Sequence, residues 1–240
     1  SAEGFAGYSL FQNLIAGGQN SEGIDVTNDL SFMSIQASVH VFLPQPSLSV
    51  RVWNGTPHEF LIKAAELTRT GIGLPAYYND EVIIPSLLSR GLTLEDARDY
   101  NIIGCVEPQK AGKTEGWHDA AFFNMCRPLE LTFHNGKDKG VQVGPQTGDV
   151  ENMQSFEEFY RAYVNADNAI DMAHAERCPL PFLSSMVDDC MKSGKTVQEG
   201  GAVYNFTGPQ GFGVANMADS LYVVKKLVYD EKKLTMKELK

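Results

Sequence analysis

Asn101-Ile102-Ile103-Gly104-Cys105-Val106-Glu107-Pro108-Gln109 is the stretch on which the fold and chemistry of this chain turn. An apolar run of strand type, Tyr100 to Val106, leads to an abrupt exit at proline, with a thiol and a carboxylate two residues apart. In extended backbone, residues i and i+2 point to the same side, roughly 6.5 Å apart. Pro108 biases Glu107 toward that extended region, so sulfur and carboxylate could hold a small substrate between them. A nucleophilic thiolate wants a histidine, a helix N-terminus or a cation to lower its pKa. A carboxylate nearby does the opposite and favours the S–H form. That state suits hydrogen-atom transfer, with the carboxylate as general base for a substrate hydroxyl. On its own so short a pattern more often means a buried cysteine beside a surface glutamate.

Working outward, helical and strand patterns alternate, which places the chain in the α/β class. Phe5 to Ala16 reads as a helix ending at Gly17-Gly18, and Ile24 to Phe42 as a second, closed by Pro44 and Pro46. Leu48 to Trp53 alternates apolar and polar residues as a strand does. Pro57 to Thr70 is helical, Gly73 to Asn79 a short strand or loop, and Val82 to Arg90 helical, with Thr93 and Asp96 marking the next helix start. Lys110 to Trp117 and Gly136 to Gly148 read as loops. Ser155 to Glu176 is a long helix with Phe156, Phe159, Tyr160 and Tyr163 on one face. A helix around Phe182 to Lys192 follows, then a loop-rich stretch, Gly200 to Asn216, with one strand at Ala202 to Phe206. Leu221 to Lys240 reads as helix to the terminus, with Thr235 and Glu238 forming a capping box.

Composition narrows the function class. The 240 residues are 43% hydrophobic and 21% charged, ordinary for a packed protein and not for a disordered one. Lys+Arg of 20 against Asp+Glu of 30 gives a formal charge of −10, which argues against nucleic acid or anionic membrane as partner. No apolar stretch is long enough to span a bilayer, and no signal sequence opens the chain, so a cytoplasmic location is expected. Cys105, Cys126, Cys178 and Cys190 have neither disulfide-framework nor zinc-site spacing, and no metal site is expected. The last three read as core thiols, and Asp188-Asp189 as a helix surface.

Gly104-Cys105-Val106-Glu107-Pro108, followed by Gly112-Lys113-Thr114-Glu115-Gly116-Trp117-His118-Asp119, resembles the active-site finger loop of the glycyl radical enzymes, in particular their dehydratase and carbon–heteroatom lyase branch. Phe11-Gln12-Asn13-Leu14 with Gly17-Gly18-Gln19, Gly23 to Asn28, Gln45 to Arg51 and Tyr204 to Gly208 agree, so the resemblance covers the whole chain. It implies the central part of a ten-stranded α/β barrel, with the cysteine on a finger loop inside. The N-terminal part and the C-terminal glycine radical domain would then lie outside residues 1–240. It further implies that Cys105 is the hydrogen-abstracting thiyl and Glu107 the general base. Phe11 would be the pocket aromatic, a tyrosine in most glycerol and propanediol dehydratases, while His118 and Asp119 would stand on the substrate side. Val106 departs from the paired cysteines of pyruvate formate-lyase. No cofactor is implied within this chain. A glycyl radical on a glycine outside it, installed by an S-adenosylmethionine-dependent activase, is expected, as are a small-molecule substrate and a homodimer.

Two other readings remain open at this level. A truncated, non-catalytic paralogue or spare-part fragment would account for the missing radical glycine. A thiol hydrolase built on Cys105 and His118 would require rapid alkylation of Cys105 at neutral pH. Arg51 and Gln19 could orient substrate or brace the barrel.

Overall fold

The structure, a computed structural model, describes residues 12–116, 118–143 and 154–239. They fall into two compact units, one built from the residues up to Gly116 with Pro181–Phe206, the other from those up to Leu180 that follow and from Thr207 onward.

The first unit opens as a β-α-β-α-β run: β1 (Asn13–Gly17), α1 (Asp29–Val41), β2 (Ser47–Val52), α2 (His58–Arg69) and β3 (Ala76–Asn79). The strands form a parallel sheet in the order β1-β2-β3, and the two helices supply the crossovers that parallel pairing requires. Along β2 the alternation Ser-Leu-Ser-Val-Arg-Val decides what each face does. Leu48 and Val50 enter an apolar cluster with Ala16, Ile35, Phe60, Ala64 and Leu67. Ser49 and Arg51 alternate with them on the opposite face and are also buried. The sheet is therefore covered on both sides, but one side is polar.

Arg51 organises that polar side. Its Nε and Nη2 donate to the two oxygens of Asp80 at 3.0 and 2.8 Å. Nη1 donates to the carbonyls of Gln19 and Tyr100, and Nη2 also to that of Arg98. All five guanidinium N–H groups thus have an acceptor. Asp80 receives two further bonds, from Tyr100 Oη at 2.8 Å and Gln19 Nε2 at 3.4 Å. The guanidinium also lies 3.9 Å from the centre of the Tyr100 ring. Gly18, at φ +88°, is what lets the chain pass so closely: a Cβ there would stand 2.6 Å from Arg51 Nε. Arg51 is therefore a brace, its five N–H groups spent within the fold, and Gln19 joins it through its carbonyl and its Nε2.

Asp80 opens α3 (Asp80–Ser89), and Thr93 caps α4 (Leu94–Arg98) by accepting from the Asp96 N–H, as its position in sequence suggests. Next come β4 (Asn101–Ile103) and β5 (Glu107–Gln109), an antiparallel hairpin pairing Ile103 with Glu107. Tyr78, Ile84, Leu87, Ala97, Tyr100 and Ile102 make a second apolar cluster. The remaining elements are β6 (Thr114–Glu115), β7 (His118–Asn124), α5 (Cys126–Phe133), β8 (Lys137–Asp138), β9 (Val141–Gln142), α6 (Gln154–Arg177), α7 (Pro181–Ser184), α8 (Cys190–Ser193), β10 (Tyr204–Asn205), β11 (Gly208–Phe212), α9 (Val214–Val224) and α10 (Met236–Leu239). In the first unit β6 pairs in parallel with β10, and Asp96 ties them to α4 by accepting from Lys113 Nζ and Tyr204 Oη. In the second unit β7 pairs in parallel with β11, and β8 with β9 as a small hairpin.

Several elements differ from their sequence patterns. Residues 13–17, expected to end a helix, are the strand β1, because Leu14-Ile15-Ala16 is too short for periodicity to separate the two and β2 offers a parallel partner. Residues 5–11 of that pattern lie outside the described residues. The second helix begins at Asp29, not Ile24, because Asn28 caps it reciprocally with Ser31. The Phe182–Lys192 helix is two short pieces, α7 and α8, and the loops expected at 110–117 and 136–148 contain β6 and the β8–β9 hairpin. The stretch 200–216 holds β11 as well as β10. The last helix is interrupted: α9 passes into a π turn at Lys225–Asp230 and stops, Lys232 taking a left-handed φ of 50°. The Thr235–Glu238 capping box then restarts it as α10. Of the three cysteines expected in the core, Cys190 is buried, Cys126 half-buried and Cys178 exposed, because Cys178 lies just beyond the end of α6. The aromatic side chains at 156, 159, 160 and 163 lie outside the described residues.

Two outcomes follow from these ties. Arg51→Met removes the cation from the buried Asp80 carboxyl, which keeps only its Tyr100 and Gln19 hydrogen bonds, and should lower stability by about 3–5 kcal/mol. Arg51→Lys, which keeps the charge but has three donors in place of five, should fall between, both read from denaturant midpoints. For Asp96, burial alone would raise the carboxyl, but the Lys113 and Tyr204 hydrogen bonds outweigh it and hold it below the usual range. Its contribution, about 1–2 kcal/mol for a charge-assisted bond, should be present above the unfolded value near ~4 and vanish as pH falls through the folded value. The stability gap between wild type and Asp96→Asn should therefore close in acid.

Candidate active site

Gly104-Cys105-Val106 form the turn of the β4–β5 hairpin, so Cys105 stands at its tip and not in an extended strand. This corrects the extended geometry expected from the sequence. Gly104 at φ +57° permits the reversal, and the thiol and carboxylate meet by the chain folding back. The Glu107 carboxylate accepts from the N–H groups of Cys105 and Val106 at 3.0 and 2.9 Å, both on Oε2. The same oxygen would stand 2.9 Å from a Cβ at Gly104, so a side chain there would push the glutamate off the turn as well as strain the left-handed backbone.

Neighbouring strands hold this turn from the sheet's polar face. Asn13 Nδ2, on β1, donates to the Gly104 carbonyl at 3.3 Å. The Tyr78 hydroxyl, on β3, donates to the Cys105 carbonyl at 2.5 Å. Burial pushes the Tyr78 phenol up from its ordinary pKa, and the neighbouring Glu107 carboxylate and Cys105 thiol push the same way, so it stays a donor. Ser49 lies beside that phenol and pulls it the other way, although its buried Oγ is not within a formed hydrogen bond. Asn13 Oδ1 and Asn101 Oδ1 are likewise buried and unpaired, leaving polar capacity around the hairpin. Cys105 is exposed in this chain and Glu107 half-buried.

Cys105 and Glu107 are thus brought together on one turn. His118 and Asp119 are consecutive residues of β7, in the second unit, and their side chains lie outside the described residues. Phe11 also lies outside them. The sequence alone did not single out Asn13 or Tyr78 as anchors of the turn. A signal was present in the period-two pattern of β2, whose Ser49 and Arg51 mark a buried polar face that the flanking strands share. Among the described residues no group of three or more metal-binding side chains is assembled, and no helix is long and apolar enough to cross a membrane.

The chain has close counterparts among known proteins. The pyruvate formate lyase-like family model matches residues 1–240. The (2S)-3-sulfopropanediol dehydratase of Klebsiella oxytoca is 40% identical over 100% of this chain and 30% of its own length. The glycerol-bound B12-independent glycerol dehydratase of Clostridium butyricum superposes with a TM-score of 0.89 at 64% identity, covering 97% of this chain and 31% of that one. A structure for 1,2-propanediol dehydration in Roseburia inulinivorans gives 0.88 at 67% identity, covering 99% and 31%. The chain belongs to the glycyl radical enzymes of the pyruvate formate lyase-like family, in the branch that contains these dehydratases. It spans about 30% of the length of the relatives it matches. Those structural neighbours have a ten-stranded α/β barrel, whereas the sheets described in this chain are open.

Gly104→Ala should strain the left-handed turn by about 1–2 kcal/mol and displace Glu107 Oε2. Hydrogen exchange of the peptide spanning 101–109 should show the Cys105 and Val106 amides losing protection, while the β1–β3 sheet keeps its own.

Proposed function

We propose that the polypeptide containing this chain is a radical dehydratase that removes water from a small vicinal diol, glycerol or 1,2-propanediol being the candidates. The observation that carries this reading is the Cys105–Glu107 turn in a chain 64% and 67% identical to proteins of glycerol and 1,2-propanediol dehydration. A glycyl radical, on a glycine outside residues 1–240 and installed by an S-adenosylmethionine-dependent activase, supplies the initial one-electron oxidising power.

Cys105 would pass its S–H hydrogen atom to that glycyl radical and so become a thiyl. The thiyl takes a hydrogen atom from a substrate carbon that bears a hydroxyl, restoring S–H. Glu107 removes the proton of that hydroxyl through Oε1, because Oε2 is engaged by the turn. The resulting ketyl-type radical expels hydroxide from the adjacent carbon, and the proton held by Glu107 balances its departure as water. Cys105 then returns a hydrogen atom to the carbon left as a radical, giving the aldehyde and regenerating the thiyl. Phe11, His118 and Asp119 belong to the substrate side of this reading, Phe11 as a pocket wall and Asp119 as a partner for a substrate hydroxyl. A homodimer is part of the same reading.

The test uses the full-length, activated protein. Cys105→Ala should lose turnover of both diols while the glycyl radical signal persists in electron paramagnetic resonance. Glu107→Gln keeps an oxygen to accept from the turn N–H groups but is no base. It should fold normally and lose about 10²–10⁴-fold in kcat. Substantial turnover by Cys105→Ala would remove the thiol from the mechanism, and wild-type kcat in Glu107→Gln would remove the base.

A further inference from the structure

We infer that Tyr78 is a positioning residue for the Cys105 thiol: it holds the Cys105 carbonyl from β3 while Glu107 holds the Cys105 N–H, and together they fix the direction in which Sγ leaves the backbone. This rests on the hydrogen-transfer role proposed above for Cys105.

The geometry has three parts. First, both main-chain polar groups of Cys105 are engaged by side chains, its N–H by Glu107 Oε2 at 3.0 Å and its carbonyl by Tyr78 Oη at 2.5 Å. A residue so tied has little backbone freedom, and the sulfur keeps only rotation about χ1. Second, the Tyr78 ring is placed independently of that bond. It is 8% exposed, belongs to the second apolar cluster, and sits in parallel register with Arg51 on β2. The hydroxyl is therefore delivered by a rigid support, as a positioning group must be. Third, the bond reaches the tip of the hairpin, where the β4–β5 ladder provides nothing: the ladder ends at the Ile103–Glu107 pair. Without Tyr78, Asn13 at the Gly104 carbonyl and Glu107 at the turn N–H groups would remain, and the bond that ties the Cys105 carbonyl to β3 would be lost.

No proton or electron passes through Tyr78 in this role, and it touches no reacting atom. Its effect is on the fraction of time the sulfur points along a productive line. A displacement near 1 Å at a reacting atom can cost about 10²-fold in rate. Tyr78→Phe keeps the ring and its packing and deletes one hydrogen bond.

The experiment compares Tyr78→Phe, Cys105→Ala and wild type as full-length, activated proteins, with turnover of glycerol and 1,2-propanediol normalised to radical content by electron paramagnetic resonance. The expected result for Tyr78→Phe is a kcat per radical about 10–100-fold lower with KM within about threefold and an unchanged radical content. A kcat per radical equal to wild type overturns the inference. So does a loss explained entirely by a lower melting temperature or lower radical content, the signature of a merely structural residue. If Tyr78→Phe does not fold, 3-fluorotyrosine incorporated at position 78 keeps the ring and alters the donor strength. A change in kcat with KM constant supports the role, and no change overturns it. Cys105→Ala separates the two layers. If it turns over, the hydrogen-transfer reading fails and the Tyr78 role with it; if it is dead while Tyr78→Phe matches wild type, only the Tyr78 role fails.

Discussion

A single buried guanidinium holds the first unit in register. Arg51 meets five acceptors drawn from four residues: the Asp80 carboxylate, which supplies two, and the carbonyls of Gln19, Arg98 and Tyr100. A buried charge is costly unless its partners are complete, so the three segments around Gln19, Asp80 and Arg98–Tyr100 must arrive together or the site is unfavourable. That condition explains several local choices at once. Gly18 leaves room above Nε, Asp80 begins a helix directly after β3, and the chain leaving α4 must present two carbonyls before it enters β4. The hairpin that carries Cys105 is thereby launched from a fixed point.

From that launch the hairpin needs only local ties. Its two strands are three residues each, too short to be rigid alone. Side chains from β1 and β3 reach its tip, and the tip's own glutamate closes it. The support is graded: a charged lock at the base of the hairpin, and neutral and carboxylate hydrogen bonds at its apex. Exposure of the thiol and rigidity of its backbone are compatible under this arrangement, because everything holding the turn approaches from the sheet side.

The sequence revealed the pairing of thiol and carboxylate better than its shape. The thiol and carboxylate were legible because their types and spacing suit only a few reactions, and the flanking segments matched a known family along their length. Their geometry was misread as extended, since an i, i+2 pair in a strand and one closed over a left-handed glycine look alike until the pairing of Ile103 with Glu107 is known. Helices with explicit caps, such as those at Thr93 and Thr235, were placed well because the capping residue acts locally. β1 was misjudged because what makes Leu14-Ile15-Ala16 a strand is β2, some thirty residues on. Tyr78 and Asn13 were invisible for the same reason: each acts on a carbonyl far along the chain, and no local pattern encodes that. Arg51 was noticed but could not be assigned, since a brace and a substrate ligand differ only in where the acceptors are.

Glu107 appears overcommitted, a brace of the turn and a proposed base, until its two oxygens are considered separately. Both backbone N–H groups fall on Oε2. A carboxylic acid protonated on Oε1 keeps a carbonyl at Oε2, and a carbonyl oxygen still accepts two hydrogen bonds. In the proposed mechanism, taking a proton from substrate would weaken the closure of the turn without opening it, and the sulfur direction proposed to depend on Tyr78 would survive the proton transfer. A base on a separate element would avoid the double duty, but it would have to be aligned with the thiol through the whole fold. Placing it two residues away makes the alignment of thiol and base a property of one turn, and Gly104 is the residue whose absent side chain allows that turn to close.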